Sequence, residues 1–412
     1  LPALTEAHGK YWRPIKYSLF PPLGLATLAG YLQEGDTAEI VDEHVGETAD
    51  RGDTPDLVAI EVYVTSAKRS YALADVFRRR GAHVVMGGLH PTACPEEALL
   101  HADTIITGPA EEAWPRFLQD FRAGVAKRSY RSETRDLSQV PPLRRDLLRR
   151  RNYLVPNSLV VSRGCPHRCD FCYSDSFFRG GGHFYTLALD RALLEVRGLP
   201  GRHLFFLDDN IFGAPAFSAD LFRNMAGMNR VWQGAATVHS VLDTKLLDLA
   251  AASGLRSLFV GFESLNQSSV SRHNKPHNRV SDYDRAVRLL HERGVMINAS
   301  FVFGLDGDDE TVFDATVAWA LEQGIETATF HILTPYPGTA LFERYAAEGR
   351  IHHRNWDLYD TRHAVFSYPR MSPETIEAGY ARAYESFYKW GSILRSARTA
   401  PTAAGALRHL AY

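Results

Sequence analysis

The sequence predicts an α/β protein in which two units of alternating strands and helices are joined by a polar connector. Residues 1–125 alternate strand-like and helix-like segments, as an open sheet covered by helices requires. Residues 153–350 repeat a strand followed by a helix six times. Repeats of this length require parallel strands with right-handed crossovers. The connector 126–152 is rich in arginine and proline, and 351–412 is predicted to be a C-terminal helical cap.

The elements of the first unit are predicted from the spacing of its apolar residues and from the glycine, proline and charged residues that bound each apolar run. A helix begins after the prolines of 21–22 and keeps apolar residues at helical spacing to Leu32. Short apolar runs bounded by glycine, proline or charged residues indicate strands. The strands are expected at 38–42, 56–62, 83–88 and 104–108, and the further helices at 66–80 and 111–121.

The second unit is predicted from six apolar strands that each end in polar residues or glycine. These strands are expected at 158–161, 203–208, 233–238, 257–263, 298–304 and 327–334. The intervening helices are expected at 190–196, 216–228, 245–252, 283–293 and 310–323, with a later helix from 373 to about 395. Chemistry is expected at the carboxyl ends of such strands.

Composition narrows the class of protein. The formal net charge of −2 over 412 residues gives no reason to expect a nucleic-acid partner. No run of eighteen apolar residues is present, so no membrane span is predicted. Four cysteines, three of them clustered, do not form a disulfide framework and indicate a reducing, cytoplasmic location. The chain begins at Leu1 and not at Met, which indicates that an initial segment is missing.

Three cysteines follow the first strand of the second unit with the spacing C-x3-C-x2-C. They are Cys165, Cys169 and Cys172. Thiolates with short spacers can converge on an iron–sulfur cluster or on zinc. A four-iron cluster accepts three cysteines and leaves one iron open, whereas a structural zinc needs four ligands. The zinc alternative would be completed by His167 or Cys94.

The cysteine spacing resembles the signature of the radical S-adenosylmethionine (SAM) superfamily. The resemblance implies a partial (β/α)6 barrel and a [4Fe-4S] cluster whose open iron binds SAM. It also implies that one electron, supplied by a donor such as flavodoxin or ferredoxin, cleaves SAM to methionine and a 5′-deoxyadenosyl radical.

Polar residues at the strand ends are the candidate SAM contacts. Asp208, Asp209 and Asn210 follow four apolar residues and predict the rim of a pocket, because unpaired buried carboxylates are costly. The resemblance implies contact with the methionine amino group, and a helix cap is the alternative for this position. Glu263 is expected to contact SAM, with a structural ion pair as its alternative.

Aromatic residues and a glycine complete the predicted cofactor site. The resemblance implies that Phe171 and Tyr173 stack near adenine, with barrel packing as the alternative for Tyr173. Gly304 would let the backbone approach adenine, although a plain turn explains it equally.

Polar residues late in the chain predict a polar cavity mouth and a small-molecule substrate that bears hydroxyl or amino groups. A lone histidine is more often structural than catalytic. The candidates for acid–base work on the substrate are His239, His331, Asp360 and His363, with Tyr336 beside them.

The first unit resembles the Rossmann-like, cobalamin-binding-like domain that precedes many radical SAM barrels. The resemblance rests on 22–32, 87–92, 95–98 and 108–111. Two departures leave cobalamin binding uncertain. Glu61 and Tyr63 would crowd a buried nucleotide tail, and Gly108 is followed by proline where the family has glutamate. The run 42–46 imitates a cobalt-ligating motif, but its glycine is one position early and it follows the wrong strand.

Three functions remain open. The stretches 263–265, 301–309, 333–339 and 356–366, with the region of Lys275 and Asn278, resemble a branch of radical SAM proteins with a cobalamin-binding-like domain. That branch includes hopanoid methylases, and the chain also resembles the paromamine diol-dehydratase type of apramycin biosynthesis. We expect radical dehydration of a diol on an aminoglycoside or sugar-like metabolite, with a cobalamin-dependent methyltransferase as the alternative. A zinc-binding interaction protein without enzymatic activity is the third reading.

Overall fold

The computed structural model describes residues 19–275 and 277–397, and the first of its sheets lies in the N-terminal unit. Parts of the predicted first domain and of the predicted cap, 1–18 and 398–412, lie outside the described residues. The first sheet has the order β1-β2-β3-β4 and is parallel throughout. Its strands are β1 (Leu57–Glu61), β2 (His83–Gly87), β3 (Thr104–Thr107) and β4 (Ser129–Arg131).

Among the described residues of the first unit, five α-helices pack around this sheet. The second of them turns Ala67, Tyr71, Ala74 and Phe77 inward at helical spacing, which buries one face against the strands. The helices are α1 (Leu23–Ala29), α2 (Ala67–Arg79), α3 (Leu89–Ala93), α4 (Pro95–His101) and α5 (Ala113–Arg122).

Two segments of the first unit differ from the sequence prediction. Residues 38–42 pair with no strand among the described residues. The backbone amide and the carboxylate of Asp42 are hydrogen-bonded to other groups instead. Its amide donates to Glu47, and its carboxylate accepts from His44 and Tyr153. The predicted connector 126–152 also contributes to the sheet, because it contains β4, which pairs with β3.

The second sheet confirms the predicted partial barrel. It has six strands in the order β12-β11-β10-β9-β8-β5, so strands that follow one another around this sheet also follow one another in the chain. All neighbouring pairs are parallel. The strands are β5 (Ser158–Leu159), β8 (His203–Phe206), β9 (Val231–Thr237), β10 (Leu255–Glu263), β11 (Met296–Phe303) and β12 (Thr327–Ile332).

A short antiparallel hairpin interrupts the barrel directly after β5. Its strands are β6 (Ser162–Gly164) and β7 (Phe184–Thr186), and the cysteine loop lies between them. The barrel helices are α6 (Tyr173–Phe177), α7 (Leu189–Gly198), α8 (Pro215–Met225), α9 (Val238–Val241), α10 (Thr244–Ala252), α11 (Gln267–Arg272), α12 (Tyr283–Glu292), α13 (Val312–Glu322) and α14 (Ala340–Ala347). Throughout the described ranges, no helix combines the length and the apolar character that crossing a bilayer requires.

The C-terminal extension packs against both units. Its helices are α15 (Pro373–Phe387) and α16 (Trp390–Ala397), so the predicted single helix is broken after Phe387. Before α15, Trp356, Tyr359 and Phe366 share a hydrophobic core with α2 and with the strands of the first sheet. The extension therefore joins the two units in addition to covering the barrel.

Two tyrosines of α15 cover the free edge of β12. The Tyr384 hydroxyl bonds both the amide and the carbonyl of Phe330, and the Tyr388 hydroxyl bonds both groups of Ala328. Residues four apart in a helix lie on the same face, and alternate residues of a strand present their backbone groups to the same side. Because Tyr384 and Tyr388 are four residues apart and Phe330 and Ala328 are two residues apart, both hydroxyls reach the same edge of β12, the last strand of the open barrel.

Replacing Gly379 by alanine should weaken the attachment of α15. A Cβ atom at this position would lie 2.3 Å from the Phe313 ring of α13. We expect a loss of about 1–3 kcal/mol in the free energy of unfolding, because overpacking displaces side chains or backbone. Gly391→Ala in α16 is the matched control, since nothing lies near its added Cβ. Calorimetry should show a lower melting temperature for Gly379→Ala alone, and equal melting of the two variants would contradict this packing.

Candidate active site

The cysteine loop begins at a glycine that no other residue can replace without displacement. Gly164 has a φ of +75°, and a Cβ atom there would lie 2.0 Å from the carbonyl oxygen of His183. That same carbonyl accepts the amide of Cys165 at 3.1 Å. The β6–β7 hairpin therefore fixes the direction in which the chain enters the loop.

Asp170 fixes the middle of the loop to two distant segments. One carboxylate oxygen lies 2.9 Å from Nδ1 of His273, and the other accepts from Arg344 of α14 at 2.9 Å. The backbone carbonyl of Asp170 also accepts the amide of Leu341. Asp170 is a loop residue between two of the cysteines, so these contacts hold the positions of the thiols.

The zinc alternative for the cysteine loop needs a fourth ligand, and neither proposed residue is placed in its favour. Cys94 belongs to a separate group with His90 and Glu97, whose ligand atoms all lie within 4.8 Å of one another. The His167 ring stacks on His277 with centroids 3.5 Å apart.

Burial disfavours the thiolate form of all three cysteines when no metal is bound. It raises the pKa of Cys165, raises that of Cys169 to about 12 and raises that of Cys172 further. The Lys275 ammonium acts in the opposite direction on Cys165 and Cys169. Bound metal supplies the positive charge that would keep these sulfurs deprotonated.

Lys275 forms a buried ion pair with Glu263 beside the cysteine loop. Their side chains are 7% and 13% exposed, and the ammonium also donates to the carbonyl of Gly261. Glu263 has a φ of +66°, which is a strained conformation for a residue with a side chain. A Cβ at Gly261 would lie 2.5 Å from the Glu263 carboxylate. The ion-pair alternative for Glu263 is therefore present in the structure, and its contact with SAM stays a prediction.

Asp208 has a structural role that the sequence did not indicate. It is 2% exposed, and its carboxylate accepts from the amides of Val161 and Ser162 and from the Ser162 hydroxyl. These bonds join the end of β8 to the chain between β5 and β6. These protein donors account for most of the hydrogen bonds that Asp208 accepts, and its contact with SAM stays a prediction.

Asp209, Asn210 and Tyr173 form the polar wall next to the cysteines. The Tyr173 hydroxyl donates to Asp209 at 2.9 Å. Asn210 accepts the amide of Phe212 through its oxygen, while its buried amide nitrogen makes no hydrogen bond of ordinary geometry and approaches the Cys165 thiol, whose pKa it lowers. A buried amide with incomplete hydrogen bonding next to a predicted cluster ligand can also donate to a molecule bound there.

Two predicted adenine contacts have protein neighbours on at least one side. The Phe171 ring packs against His273 at 5.9 Å between centroids. Gly304 has a φ of +90°, and a Cβ there would lie 2.5 Å from the Tyr368 ring. Tyr368 of the C-terminal extension therefore makes one close approach that this glycine permits, and the contacts of Phe171 and Gly304 with adenine stay predictions.

The candidate acid–base residues fall into two groups. His331 lies 3.3 Å from the Thr361 hydroxyl, and Asp360 lies 3.0 Å from Nδ1 of His363, so the C-terminal extension brings these three together. Burial lowers the pKa of His331, which keeps it neutral near pH 7. His239 is separate from them, since it is exposed and interacts electrostatically with His167 and His277.

The carboxyl edge of the first sheet carries an acid and a phenol. The Tyr63 hydroxyl donates to the Glu61 carboxylate at 3.2 Å, and burial raises the pKa of Glu61. The Glu61 carboxyl lies against Gly24 of α1. Part of the Glu61 side chain, which was predicted to crowd a nucleotide tail, therefore packs against this helix. Tyr63 is 41% exposed. The pair therefore lies at the edge where parallel sheets bind ligands.

The sequence did not predict several residues that contact the cysteine loop. Lys275, His277, His273 and Arg344 contact the cysteine loop or its neighbours from positions over 100 residues later. The cluster of basic residues at 272–277 was the available signal, but nothing in the sequence said that it lies beside the cysteines.

Comparisons with known proteins agree with this geometry. Residues 159–320 match the radical SAM superfamily, and residues 17–118 match the B12 binding domain. The chain is 29% identical to a bacteriochlorophyllide d C-12(1)-methyltransferase of Chlorobaculum tepidum, over 92% of this chain and 85% of that protein. It is 24% identical to the hopanoid C-2 methylase of Rhodopseudomonas palustris, over 82% and 66%.

Solved structures show the same fold. The radical SAM methyltransferase TsrM of Kitasatospora setae aligns with a TM-score of 0.70 at 17% identity, over 91% of this chain and 88% of that one. The cobalamin-dependent radical SAM enzyme OxsB aligns with a TM-score of 0.72 at 14% identity, over 95% and 68%. The predicted order of a cobalamin-binding-like sheet followed by a partial barrel is confirmed.

Replacing Lys275 by methionine should destabilise the protein strongly. Loss of the ammonium leaves the Glu263 carboxylate buried without a partner, which costs about 3–5 kcal/mol. The double variant Lys275→Met/Glu263→Gln should recover most of this loss. Lys245→Met, at an exposed lysine of α10, is the matched control. Urea denaturation of the metal-free protein checks the prediction, and equal stability of Lys275→Met and Lys245→Met would contradict it.

Proposed function

We propose a methyl-transfer function for this chain, which is a radical SAM enzyme with a B12-binding domain ahead of its radical SAM domain. The proposed reaction replaces a hydrogen on a polar small molecule by a methyl group. The curated relatives that the chain matches over most of its length include several methyltransferases, and this favours the methyltransferase alternative over dehydration.

The observation that carries the proposal is that the carboxyl edges of the two parallel sheets meet beside the cysteine loop. A Cβ at Gly108, after β3, would lie 3.1 Å from the carbonyl of Phe177 in α6. Tyr63, after β1, is close enough to Tyr173 for their phenols to interact electrostatically. Parallel sheets bind ligands at these edges. A cofactor on the first sheet would therefore lie next to one bound at the cysteines.

The cysteines and their neighbours prepare the cluster side of the site. Cys165, Cys169 and Cys172 would hold three irons of a [4Fe-4S] cluster, with the fourth open to SAM. When bound, the cluster and SAM supply a deoxyadenosyl radical, and cobalamin supplies the methyl group. The amide of Asn210 beside Cys165 and the Tyr173–Asp209 pair support a role for these groups in orienting the amino-acid end of SAM. An electron carrier such as flavodoxin or ferredoxin is the proposed reductant.

The residues of the C-terminal extension are the proposed substrate contacts. His331, neutral near pH 7, can accept a proton, and the Asp360–His363 pair can accept or donate one. Tyr336 lies near both Asp360 and Cys172, so the group extends toward the cluster. These side chains favour a substrate with hydroxyl or amino groups, and they would bind and orient it with the reacting carbon toward the cluster.

Radical dehydration of a diol is the second candidate. The observation in its favour is the Glu61–Tyr63 pair at the edge where a corrinoid would bind. Dehydration needs no methyl donor, and it needs a base and an acid near the substrate, which His331 and the Asp360–His363 pair could provide.

Cobalamin dependence separates the two candidates. We expect protein reconstituted anaerobically with iron, sulfide and hydroxocobalamin to bind about one corrinoid per chain. With SAM, dithionite and candidate polar substrates it should form 5′-deoxyadenosine and a product heavier by one methylene group. Chromatography with mass spectrometry measures both products, and an absorption spectrum measures the corrinoid.

The variant with all three cysteines changed to alanine is the control. It should lose iron and 5′-deoxyadenosine formation but keep the corrinoid, because the first sheet does not depend on the cluster. A product that has lost one water, formed equally without cobalamin, would overturn methyl transfer and support dehydration.

A further inference from the structure

A histidine, a cysteine and a glutamate converge on the first domain, outside the cysteine loop. His90 lies in α3, Cys94 joins α3 to α4, and Glu97 lies in the first turn of α4. One ligand atom from each lies within 4.8 Å of the ligand atoms of the other two. The spacing H-x3-C-x2-E across two consecutive helices turns all three side chains toward one point.

Buried polar atoms at this point have incomplete hydrogen bonding. The His90 side chain is fully buried, its Nδ1 has no partner, and its Nε2 makes only a long contact of 3.4 Å with Glu97. The buried Tyr71 hydroxyl, whose ring lies 5.9 Å from the His90 ring, makes no hydrogen bond of ordinary geometry, and the group it interacts with is the Glu97 carboxylate of the same cluster. Native proteins rarely leave such groups unpaired, so each one calls for an explanation.

The charges around Cys94 are mainly negative. Burial is the main cause that raises the pKa of the Cys94 thiol to about 12; the carboxylates of Glu97, Glu343 and Glu96 act in the same direction, and the Arg354 guanidinium acts in the opposite one. A cation bound here would compensate the carboxylates and stabilise the thiolate. The Glu97 side chain is 37% exposed, which gives an ion a path from solvent to the buried histidine.

We propose that His90, Cys94 and Glu97 form a binding site for a zinc-type divalent cation. Imidazole nitrogen, thiolate sulfur and carboxylate oxygen are the ligands that zinc takes in proteins, and three of them leave a fourth position for water. On binding, a sulfur–metal bond replaces the S–H bond of Cys94, and the proton passes to solvent.

The indole of Trp356 supports the third ligand. Its N–H donates to both carboxylate oxygens of Glu97, at 3.0 and 3.2 Å. Donors of this kind orient a ligand and raise metal affinity. Trp356 belongs to the C-terminal extension, so an ion at this site ties α4 of the first domain to the segment that joins the two units.

The test uses the full-length protein with its cluster reconstituted and its zinc and iron measured together. We expect wild type to hold about one zinc per chain after dialysis against Zn²⁺ and removal of excess metal. Cys94→Ser and Glu97→Gln should lose this zinc while keeping the iron. The glutamine keeps an oxygen that can accept the Trp356 N–H, so it removes the charged ligand and retains that contact.

Glu96→Gln is the matched control for loss of one negative charge, because Glu96 is the exposed neighbour of Glu97 in the same helix and acts on Cys94 through its charge without being one of the three ligands. It should keep the zinc. Trp356→Phe should weaken zinc binding by about 10-fold or more through loss of the supporting donor. Co²⁺ in place of zinc should give a thiolate-to-metal absorption band in wild type that is absent in Cys94→Ser. Wild type without zinc and without this band, or Cys94→Ser with zinc, would overturn the proposal.

Discussion

The shape of the cysteine loop depends on the backbone contact between Gly164 and the carbonyl of His183. No side chain fits at Gly164, and the same carbonyl receives the amide of Cys165, so the loop leaves the hairpin in one direction. Asp170 then ties the loop to His273 and Arg344, which belong to segments far along the chain. The position of three thiols thus depends on groups drawn from most of the barrel, and a cluster bound there would be correspondingly sensitive to the packing of its last helix.

The sequence predicted the elements whose burial follows a simple period. The six barrel strands are found within a few residues of their expected bounds because their apolar runs are bounded by polar residues and glycine. The strand predicted at 38–42 is absent from the described sheets, and Asp42 is instead bound by the Glu47 carboxylate, the His44 amide and the Tyr153 hydroxyl, partners about which local propensity carries no information. The strand β4 was missed because a three-residue strand that alternates exposed and buried residues resembles a polar connector.

The site residues show the same limit in another form. The cysteines were identified from their spacing, and Asp209 and Asn210 from their place after a strand. Asp208 lies in the same run, yet its carboxylate bonds Val161 and Ser162 across the barrel entrance. A run of three polar residues indicates a pocket rim but does not say which member faces the pocket. The Lys275–Glu263 pair and the Tyr368 contact at Gly304 join residues separated by loops, and a single sequence cannot reveal which of these meet.

The free edge of β12 stays uncovered during synthesis until Tyr384 and Tyr388 have been made. An open barrel leaves its last strand with unpaired amides and carbonyls, which can recruit a strand from another molecule. Tyr384 and Tyr388 cover these groups, but both lie some fifty residues after the strand. During synthesis the barrel is therefore complete before its edge is protected. During that interval the nascent protein exposes an unpaired strand edge that is prone to association with other chains. Any shortened form that stops before Pro373 would keep this edge exposed permanently.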